Sequence, residues 1–315
     1  MSVSLRCYST SLGCPKNRVD TERLLGSLGV ALVPVESPDE AELVFINTCA
    51  FIQPATEESV RTIAQAIADI EELPKRPLLA VAGCLVGRYH AEDLAPELPE
   101  VDLWLDNSDL EAWPAMLARK LGLPEPTVPG RILSTGPSYA WLKISDGCRH
   151  ACSFCAIPNI RGGHRSHCKD MIVREARALL DQGVKELNLV AQDLTEWGCD
   201  LDGKQDLRTL LDGLLPLPGL ERLRLMYLYP AGMTHEMLKY LREAGKPFVP
   251  YFDVPVQHSH PDVLSRMGRP FARNPREAID RIRNVFPEAA LRTSIMVGFP
   301  GETEEHFEHL REFIE

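Results

Sequence analysis

The chain has 315 residues, enough for two domains with separate cores, and its hydrophobic (44%) and charged (25%) fractions are those of an ordinary globular protein. It contains no apolar run of about eighteen residues, which argues against a membrane-spanning segment. The net charge of −11 argues weakly against a large nucleic-acid-binding surface and suits a basic protein partner better. Nine cysteines without an export signal favour reduced thiols or metal ligands over disulfides, and a cytoplasmic location.

The first part of the chain alternates short apolar runs with amphipathic segments. The apolar runs are nearly continuous, which predicts strands covered on both faces in a parallel sheet. The segments between them, such as Val19–Leu28 and Ala55–Leu73, predict helices. The predicted strands are Leu5–Thr10, Ala31–Val35, Leu43–Asn47, Leu78–Ala82 and Val101–Leu105. This pattern predicts a doubly wound α/β domain over residues 1–130.

A proline-rich stretch, Leu123–Ser138, ends regular structure and places the domain boundary near residue 130. A second series of strands and helices follows, with the rhythm of a parallel barrel whose chemistry lies at the carboxyl ends of its strands. The predicted strands are Tyr139–Ser145, Lys185–Ala191, Arg222–Tyr229, Phe248–Val256 and Leu291–Val297. Residues 131–315 are therefore predicted to form a partial (β/α) barrel.

A cysteine motif follows the first strand of this second series: Cys148-Arg149-His150-Ala151-Cys152-Ser153-Phe154-Cys155. Three thiols at this spacing can hold three irons of a four-iron cluster and leave the fourth iron open to another ligand. The spacing, with an aromatic residue before the third Cys, resembles the radical S-adenosylmethionine (SAM) superfamily, in which the open iron binds SAM. The alternative is a zinc site completed by Cys168, His150, His164 or His167. Zinc is the weaker interpretation because the chain has no second Cys-x-x-Cys pair.

Cys14, Cys49 and Cys84 each follow an apolar run of the first domain. All strands of a parallel sheet point the same way, so these strand ends are predicted to bring the three thiols to one edge. Separate burial as structural cysteines is the alternative, since free Cys is among the most buried residue types. Three thiols at matching strand ends favour convergence. Three ligands would again leave one iron able to bind a sulfur-containing group.

The two sets of thiols together resemble the methylthiotransferases, radical SAM enzymes that replace a C–H bond with C–S–CH3. The resemblance runs from Ser11 to Glu315 and is carried by four segments: Ser11-Leu12-Gly13-Cys14-Pro15-Lys16-Asn17, Ile46-Asn47-Thr48-Cys49-Ala50-Phe51, Val81-Ala82-Gly83-Cys84 and Cys155-Ala156-Ile157-Pro158-Asn159-Ile160-Arg161-Gly162. Cys14-Pro15-Lys16-Asn17 and Ala191-Gln192-Asp193-Leu194-Thr195 are typical of the branch that modifies a small-subunit ribosomal protein, number twelve. The tRNA-modifying branch usually has Cys-Gln-Met-Asn and a Gln-Asn pair there.

The resemblance implies a transferase that adds sulfur and a methyl group at the β-carbon of an aspartate in that ribosomal protein. It implies two 4Fe-4S clusters: one on Cys148, Cys152 and Cys155 that cleaves SAM, and one on the other three thiols that supplies sulfur. The implied partners are the ribosomal protein and an electron-donor protein, with no required nucleic acid and no membrane. A tRNA adenosine methylthiotransferase is the alternative enzyme, and a metal-stabilised interaction protein is the non-enzymatic alternative.

Residues at the barrel strand ends are the candidates for SAM contacts. Gln192 and Asp193 end the second predicted barrel strand, Gly298 follows the fifth, and Phe154 lies within the cysteine motif. A plain strand-to-helix turn is the alternative for each of them.

Two departures from the family pattern stand out. His167 occupies a position where the family commonly has Arg, so a permanently charged group is replaced by a pH-dependent donor. The sequence shows five strand–helix units where radical SAM barrels usually have six, and it lacks the family's C-terminal β-barrel substrate domain. The barrel is therefore expected to be truncated at its C-terminus.

Overall fold

The computed structural model describes residues 4–269 and 274–315. The chain divides into two compact units. The first comprises Met1–Ser134 together with Asn159–Gly162, and the second comprises Thr135–Pro158 and Gly163–Glu315. The sequence prediction placed the boundary near residue 130 and did not foresee that Asn159–Gly162 belongs with the first unit.

The first unit is a parallel sheet with helices. Its elements are β1 (Ser4–Ser11), α1 (Pro15–Ser27), β2 (Ala31–Pro34), β3 (Leu43–Thr48), α2 (Gln53–Ile70), β4 (Leu78–Gly83), α3 (Cys84–Tyr89), α4 (Ala91–Leu94), β5 (Leu103–Leu105) and α5 (Trp113–Leu121). The strand order is β2-β1-β3-β4-β5, and every neighbouring pair is parallel. Because the chain begins inside the sheet and extends to both edges, the unit is doubly wound, as predicted.

Apolar side chains from the sheet and the helices form the core of this unit. Leu24 of α1, Trp113 of α5 and Phe45 of β3 are buried in one cluster. Each such side chain contributes about 1.5–3 kcal/mol by leaving water. α1 begins at Pro15, whose fixed φ suits the first helical turn, so the helix starts directly after Cys14.

The second unit contains the other elements. They are β6 (Tyr139–Lys143), β7 (Ser145–Asp146), α6 (Ile157–Arg161, which continues into the segment grouped with the first unit), β8 (Arg165–Ser166), α7 (Lys169–Asp181), β9 (Glu186–Val190), α8 (Leu207–Leu214), β10 (Arg222–Leu225), α9 (His235–Ala244), β11 (Phe248–Asp253), α10 (Pro261–Arg266), α11 (Pro275–Val285), β12 (Ala290–Arg292) and α12 (Glu304–Ile314). The main sheet has the order β12-β11-β10-β9-β6, with all pairs parallel. Sequential parallel order is that of a partial barrel.

The last three strands end earlier than predicted: β10 at Leu225 instead of Tyr229, β11 at Asp253 instead of Val256, and β12 at Arg292 instead of Val297. Thr293 replaces the backbone ladder with its side chain: Oγ1 accepts from the Val256 N–H (3.1 Å) and donates to the Val254 carbonyl (2.8 Å). β12 therefore ends at Arg292, and an isolated parallel bridge between Gln257 and Ile295 follows.

No helix in the described ranges combines the length and apolar character needed to cross a bilayer.

Candidate active site

The first thiol triad, Cys14, Cys49 and Cys84, lies at one edge of the first sheet. β3 and β4 end immediately before Cys49 and Cys84, and Cys14 is the residue preceding α1. A Cβ on Gly13 would stand 2.6 Å from the Cβ of Cys49 and 2.8 Å from its Sγ, so the loop before Cys14 lies directly against Cys49. The fold thus brings together three segments that are distant in sequence.

The side chain of Asn17 links the three loops that carry this triad. Its Nδ2 donates to the Leu12 carbonyl (3.0 Å), close to Cys14, and to the Thr48 carbonyl (2.8 Å), next to Cys49. Its Oδ1 lies 3.6 Å from the Sγ of Cys84, within hydrogen-bond range of a thiol donor. Asn17 is fully buried, so water does not compete for these bonds and they hold the three loops in register.

Arg161 reaches Asn17 from a distant part of the sequence. Its Nη2 donates to Asn17 Oδ1 (2.6 Å) and to Asp20 Oδ2 (3.0 Å), and the Arg161 and Asp20 side chains are each only 2% exposed. These bonds tie the segment Asn159–Gly162 to the first unit. Breaking such a buried pair from one side leaves an uncompensated charge and typically costs 3–5 kcal/mol.

Positive charge surrounds the first of these thiols. Burial raises the pKa of Cys14, but the charges of Lys16 and Arg161, with the backbone N–H groups of Asn17 and Lys16, together hold it below its usual value. Burial raises the pKa of Cys49, and the neighbouring thiols of Cys84 and Cys14 contribute to the rise. Cys14 is therefore easier to ionise than Cys49.

The second thiol triad, Cys148, Cys152 and Cys155, lies in one loop after β7. The Cys155 N–H donates to the Cys152 carbonyl (3.0 Å), which closes a tight turn between the last two thiols. The Ser153 N–H donates to the Met267 carbonyl (3.0 Å), which fixes this turn to the residue after α10.

Two thiols of the second triad, Cys148 and Cys155, are easier to keep protonated than Cys14. Burial raises the pKa of Cys148 to about 11; the His150 backbone N–H opposes the rise, whereas the charge of Asp193 and the thiols of Cys155 and Cys152 increase it. Burial also raises the pKa of Cys155. Metal binding at this loop must therefore release protons from thiols.

An aromatic and ionic group borders the second triad. His150 Nε2 lies 2.7 Å from Asp193 Oδ2, and its ring stacks on Tyr229 with centroids 4.2 Å apart. The guanidinium of Arg269 lies 4.5 Å from the Tyr229 ring centroid, and its Nη1 is 4.0 Å from Cys152 Sγ. The sequence analysis named His150 only as a ligand of the zinc alternative and Asp193 only as a candidate SAM contact, and it did not predict that they pair. Tyr229 and Arg269 gave no functional signal in the sequence.

The four residues predicted to contact SAM have different surroundings. Both amide atoms of Gln192 are buried and have no hydrogen-bond partner among the described residues, so the amide could bind a ligand. Gly298 has φ +74° and open space where a Cβ would be. Asp193 already binds His150 and accepts from Thr195. Phe154 packs against the apolar cluster around α10. Gln192 and Gly298 therefore fit a cofactor contact best.

The histidines of the zinc alternative have other partners. His150 binds Asp193, the Nε2 of His164 lies 3.0 Å from the hydroxyl oxygen of Ser166, and His167 Nε2 lies 3.5 Å from Asp146 Oδ2. In the described ranges, three groups of ligand-type side chains have all donor atoms within 4.8 Å of one another: His164 with Cys199 and Asp200, His260 with Asp262 and His306, and His150 with Asp193 and Glu196. None contains a member of either thiol triad. Each triad contributes three thiols, a donor set that fits an iron–sulfur cluster with one open iron.

Comparison with known proteins agrees with this chemistry. Residues 142–314 match the Radical SAM superfamily, and residues 6–106 match a family described as Uncharacterized protein family UPF0004. Ribosomal protein uS12 methylthiotransferase RimO of Nitratidesulfovibrio vulgaris (strain DP4) is 68% identical over 308 residues, which cover 98% of this chain and 72% of that protein. The protein of the same name from Lawsonia intracellularis (strain PHE/MN1-00) is 61% identical over 315 residues, covering 100% of this chain and 72% of its own length.

A solved structure shares the fold. The radical S-adenosylmethionine methyltransferase TsrM from Kitasatospora setae, with cobalamin and a 4Fe-4S cluster bound, matches all of this chain and 73% of its own, with a TM-score of 0.69. At 14% sequence identity this likeness shows the fold alone. The predicted fold class, an α/β domain followed by a partial radical SAM barrel, is confirmed. Two family matches and relatives at 61–68% identity over nearly the whole chain establish that it belongs to the ribosomal protein uS12 methylthiotransferase (RimO) family, radical SAM transferases that use SAM and 4Fe-4S clusters.

Proposed function

We propose that this chain adds sulfur and a methyl group at the β-carbon of an aspartate in ribosomal protein uS12. The observation that carries the proposal is the 68% identity with a uS12 methylthiotransferase over 98% of the chain. The two separate thiol triads support it, because the reaction joins two tasks: hydrogen removal from carbon and sulfur delivery to the same carbon.

The donor sets support a division of the cofactors between the two triads. Cys148, Cys152 and Cys155 would hold the cluster that works on SAM, and Cys14, Cys49 and Cys84 would hold the cluster that provides sulfur. The bound cofactors supply the electron, the radical chemistry and the sulfur. The protein's contribution is to bind, orient and charge-balance these groups.

Residues at the strand ends contribute the SAM contacts. Gln192 offers a buried amide whose donor and acceptor are unused by the residues that the structure describes, and Gly298 allows close approach of the backbone because it has no Cβ. Asp193 orients His150 beside Cys148, and Phe154 forms part of the apolar wall next to Cys155.

The partners follow from the reaction. A SAM-cleaving cluster needs an electron, so an electron-donor protein is required in addition to the substrate. The net charge of −11 favours encounter with a basic protein. A ribosomal-protein substrate is consistent with a cytoplasmic location, and the proposed reaction requires neither nucleic acid nor a membrane.

The test uses the full chain after anaerobic reconstitution with iron and sulfide. With SAM and dithionite, we expect deoxyadenosine formation and a mass gain on uS12 that corresponds to replacement of H by SCH3. Cys148→Ala should abolish deoxyadenosine formation. Cys49→Ala should retain it and stop sulfur insertion, because the ligands of the SAM-cleaving cluster are intact. Cys168→Ala is the control, since this exposed thiol lies outside both triads.

Other outcomes separate the alternatives. A mass gain on tRNA instead of uS12 would identify a tRNA adenosine methylthiotransferase. Iron binding without deoxyadenosine would indicate an interaction protein. If Cys49→Ala still inserted sulfur, the first triad would not be needed for sulfur delivery. For the cofactor count, about eight irons per chain should fall to about four in the Cys14/Cys49/Cys84 triple Ala variant, since each cluster has four irons.

A further inference from the structure

Asn17 presents one oxygen to two groups of different kinds. Its Oδ1 accepts from Arg161 Nη2 at 2.6 Å and lies 3.6 Å from Cys84 Sγ. The two Nδ2 bonds, to the carbonyls of Leu12 and Thr48, fix the orientation of the amide, because carbonyls accept only from the NH2 side. Asn17 therefore connects Arg161 to the first thiol triad, because its Oδ1 contacts both the guanidinium and the Cys84 thiol.

The charges of Arg161 and Asp20 act in a dry environment. Each side chain is 2% exposed, so water screens their fields poorly. Reduction of a cluster adds negative charge, which a nearby cation favours and a nearby carboxylate opposes. The net effect of the pair is small while both members are present, and removal of either member exposes the other.

A second buried pair on the same helix provides a structural comparison. Arg131 Nη2 lies 2.7 Å from Glu22 Oε2, and these side chains are 5% and 2% exposed. Asp20 and Glu22 both belong to α1, but the described hydrogen bonds of Asn17 do not include Arg131. Arg131 thus pairs with the same helix as Arg161 and is similarly buried, but Asn17 accepts from Arg161 and not from Arg131 in the described hydrogen bonds.

We infer that Arg161 is a positioning residue for the first triad's cluster, which holds Asn17 against the three thiol loops and raises the reduction potential of that cluster. The inference rests on the proposed function, since it takes Cys14, Cys49 and Cys84 as cluster ligands. Arg161 follows Cys155 by six positions in the sequence. A residue close in sequence to the ligands of the second triad's cluster would thus tune the reduction potential of the first triad's cluster.

The experiment measures the midpoint potential of the first triad's cluster alone. The full chain carries Cys148→Ala, Cys152→Ala and Cys155→Ala, is reconstituted with iron and sulfide, and is titrated anaerobically with EPR detection. Arg161→Met should lower the potential by about 59 mV or more, equivalent to a tenfold change in a one-electron equilibrium constant. Asp20→Asn should raise it. Arg161→Lys should stay near the parent, and Arg131→Met should shift the potential less than Arg161→Met while it lowers the melting temperature.

Opposite shifts in Arg161→Met and Asp20→Asn support the inference, because a purely structural role would move both variants in the same direction. Equal shifts, or shifts no larger than that of Arg131→Met, overturn it. If Arg161→Met retains no iron, Asp20→Asn decides the question: a raised potential supports the inference, and an unchanged or lowered one refutes it. Absence of any cluster in the parent triple variant would instead refute the assignment of the first triad in the proposed function.

Discussion

Cys148, Cys152 and Cys155 lie in a single loop, whereas Cys14, Cys49 and Cys84 come from three strand ends separated by more than thirty residues each. The loop triad can keep its spacing through local turns, such as the bond from the Cys155 N–H to the Cys152 carbonyl. The strand-end triad depends on the whole sheet and on one buried amide, Asn17. The first sheet is therefore the region in which a distant change should damage a cluster site.

The two triads also differ in charge. Lys16 and Arg161 lower the pKa of Cys14 against the effect of burial, whereas burial and the charge of Asp193 raise that of Cys148. At Cys14 the cations outweigh the effect of burial. At the second triad the charge of Arg269 lowers the pKa of Cys155 without reversing the effect of burial, and the charge of Asp193 adds to the effect of burial at Cys148. Substitutions near one triad should therefore affect that triad without affecting the other.

The largest effect is expected from Asn17→Ala. The substitution removes the Asn17 bonds to the Leu12 and Thr48 carbonyls and one bond of the Arg161 guanidinium, which keeps Asp20, and a buried unsatisfied group costs about 1–3 kcal/mol. We expect the free energy of unfolding to fall by about 3 kcal/mol. Iron at the first triad should be largely lost. Denaturant melts of the apo chain and iron content after reconstitution measure the two effects.

Asn107→Ala is the matched control for this substitution. Asn107 is also buried in the first unit, at 3% exposure, but its amide atoms have no hydrogen-bond partner among the described residues. Its replacement should cost less and should preserve iron binding. Deoxyadenosine formation should survive in both variants. Equal iron loss in the two variants would contradict the role of Asn17 as the link between the loops.

Intermediate effects are expected from glycines that lie against each triad. A Cβ at Gly13 would meet Cys49 Sγ at 2.8 Å, and a Cβ at Gly268 would meet the Ala151 carbonyl oxygen at 2.7 Å. Both have positive φ, as does Gly29, which has open space around it. Gly29→Ala should therefore cost only the backbone strain of about 1–2 kcal/mol. Gly13→Ala should in addition reduce sulfur insertion, and Gly268→Ala should in addition reduce deoxyadenosine formation.

The measurements are product formation on uS12 and deoxyadenosine yield, each corrected for folded fraction by circular dichroism. Because sulfur insertion needs the SAM-derived radical, Gly268→Ala should lower both activities, and Gly13→Ala is the variant that discriminates. Loss of sulfur insertion alone in Gly13→Ala would sharpen the distinction between the two sites, whereas loss of deoxyadenosine formation in this variant would show that the sites are coupled.

The same contrast explains what could be predicted from the sequence. The motif around Cys148 was readable because a local spacing specifies a cluster site directly. The approach of Cys14, Cys49 and Cys84 was predictable because a parallel sheet aligns its strand ends. Most strand bounds agree to within two residues, whereas Thr293 shortened the last strand by inserting its hydroxyl into the ladder.

Contacts made by long side chains escaped prediction. Arg161 and Asn17 both lie in segments that were singled out, but nothing in either segment indicates that they meet. The contact between Arg269 and Cys152 depends on the direction in which one long arginine side chain extends. Hydrophobic periodicity and motif spacing predict the course of the backbone. Contacts between long side chains depend on tertiary packing, which is visible only in the folded chain.

The smallest effect, and the most direct test of the charge difference, is the pH dependence of thiol alkylation in the metal-free, reduced chain. The thiolate is the reactive form, so the alkylation rate follows ionisation. With a pKa of about 11, Cys148 should be about one-thousandth ionised at pH 8, whereas Cys14 should ionise below its usual range. Iodoacetamide pulses followed by peptide mass spectrometry give a midpoint pH for each thiol, with rates normalised to that site's own plateau to remove differences in access.

The midpoint of Cys14 should fall below that of the same peptide in the denatured chain, and the midpoint of Cys148 should lie above it. Lys16→Met removes one cation next to Cys14 and should raise only the Cys14 midpoint. Equal midpoints at both sites would show that the cations near the first triad do not act on its thiols. If Cys148 has the higher midpoint, cluster assembly at the second triad must displace a proton that Cys148 holds more tightly than Cys14 holds its own. Iron loading of that triad should then depend more steeply on pH.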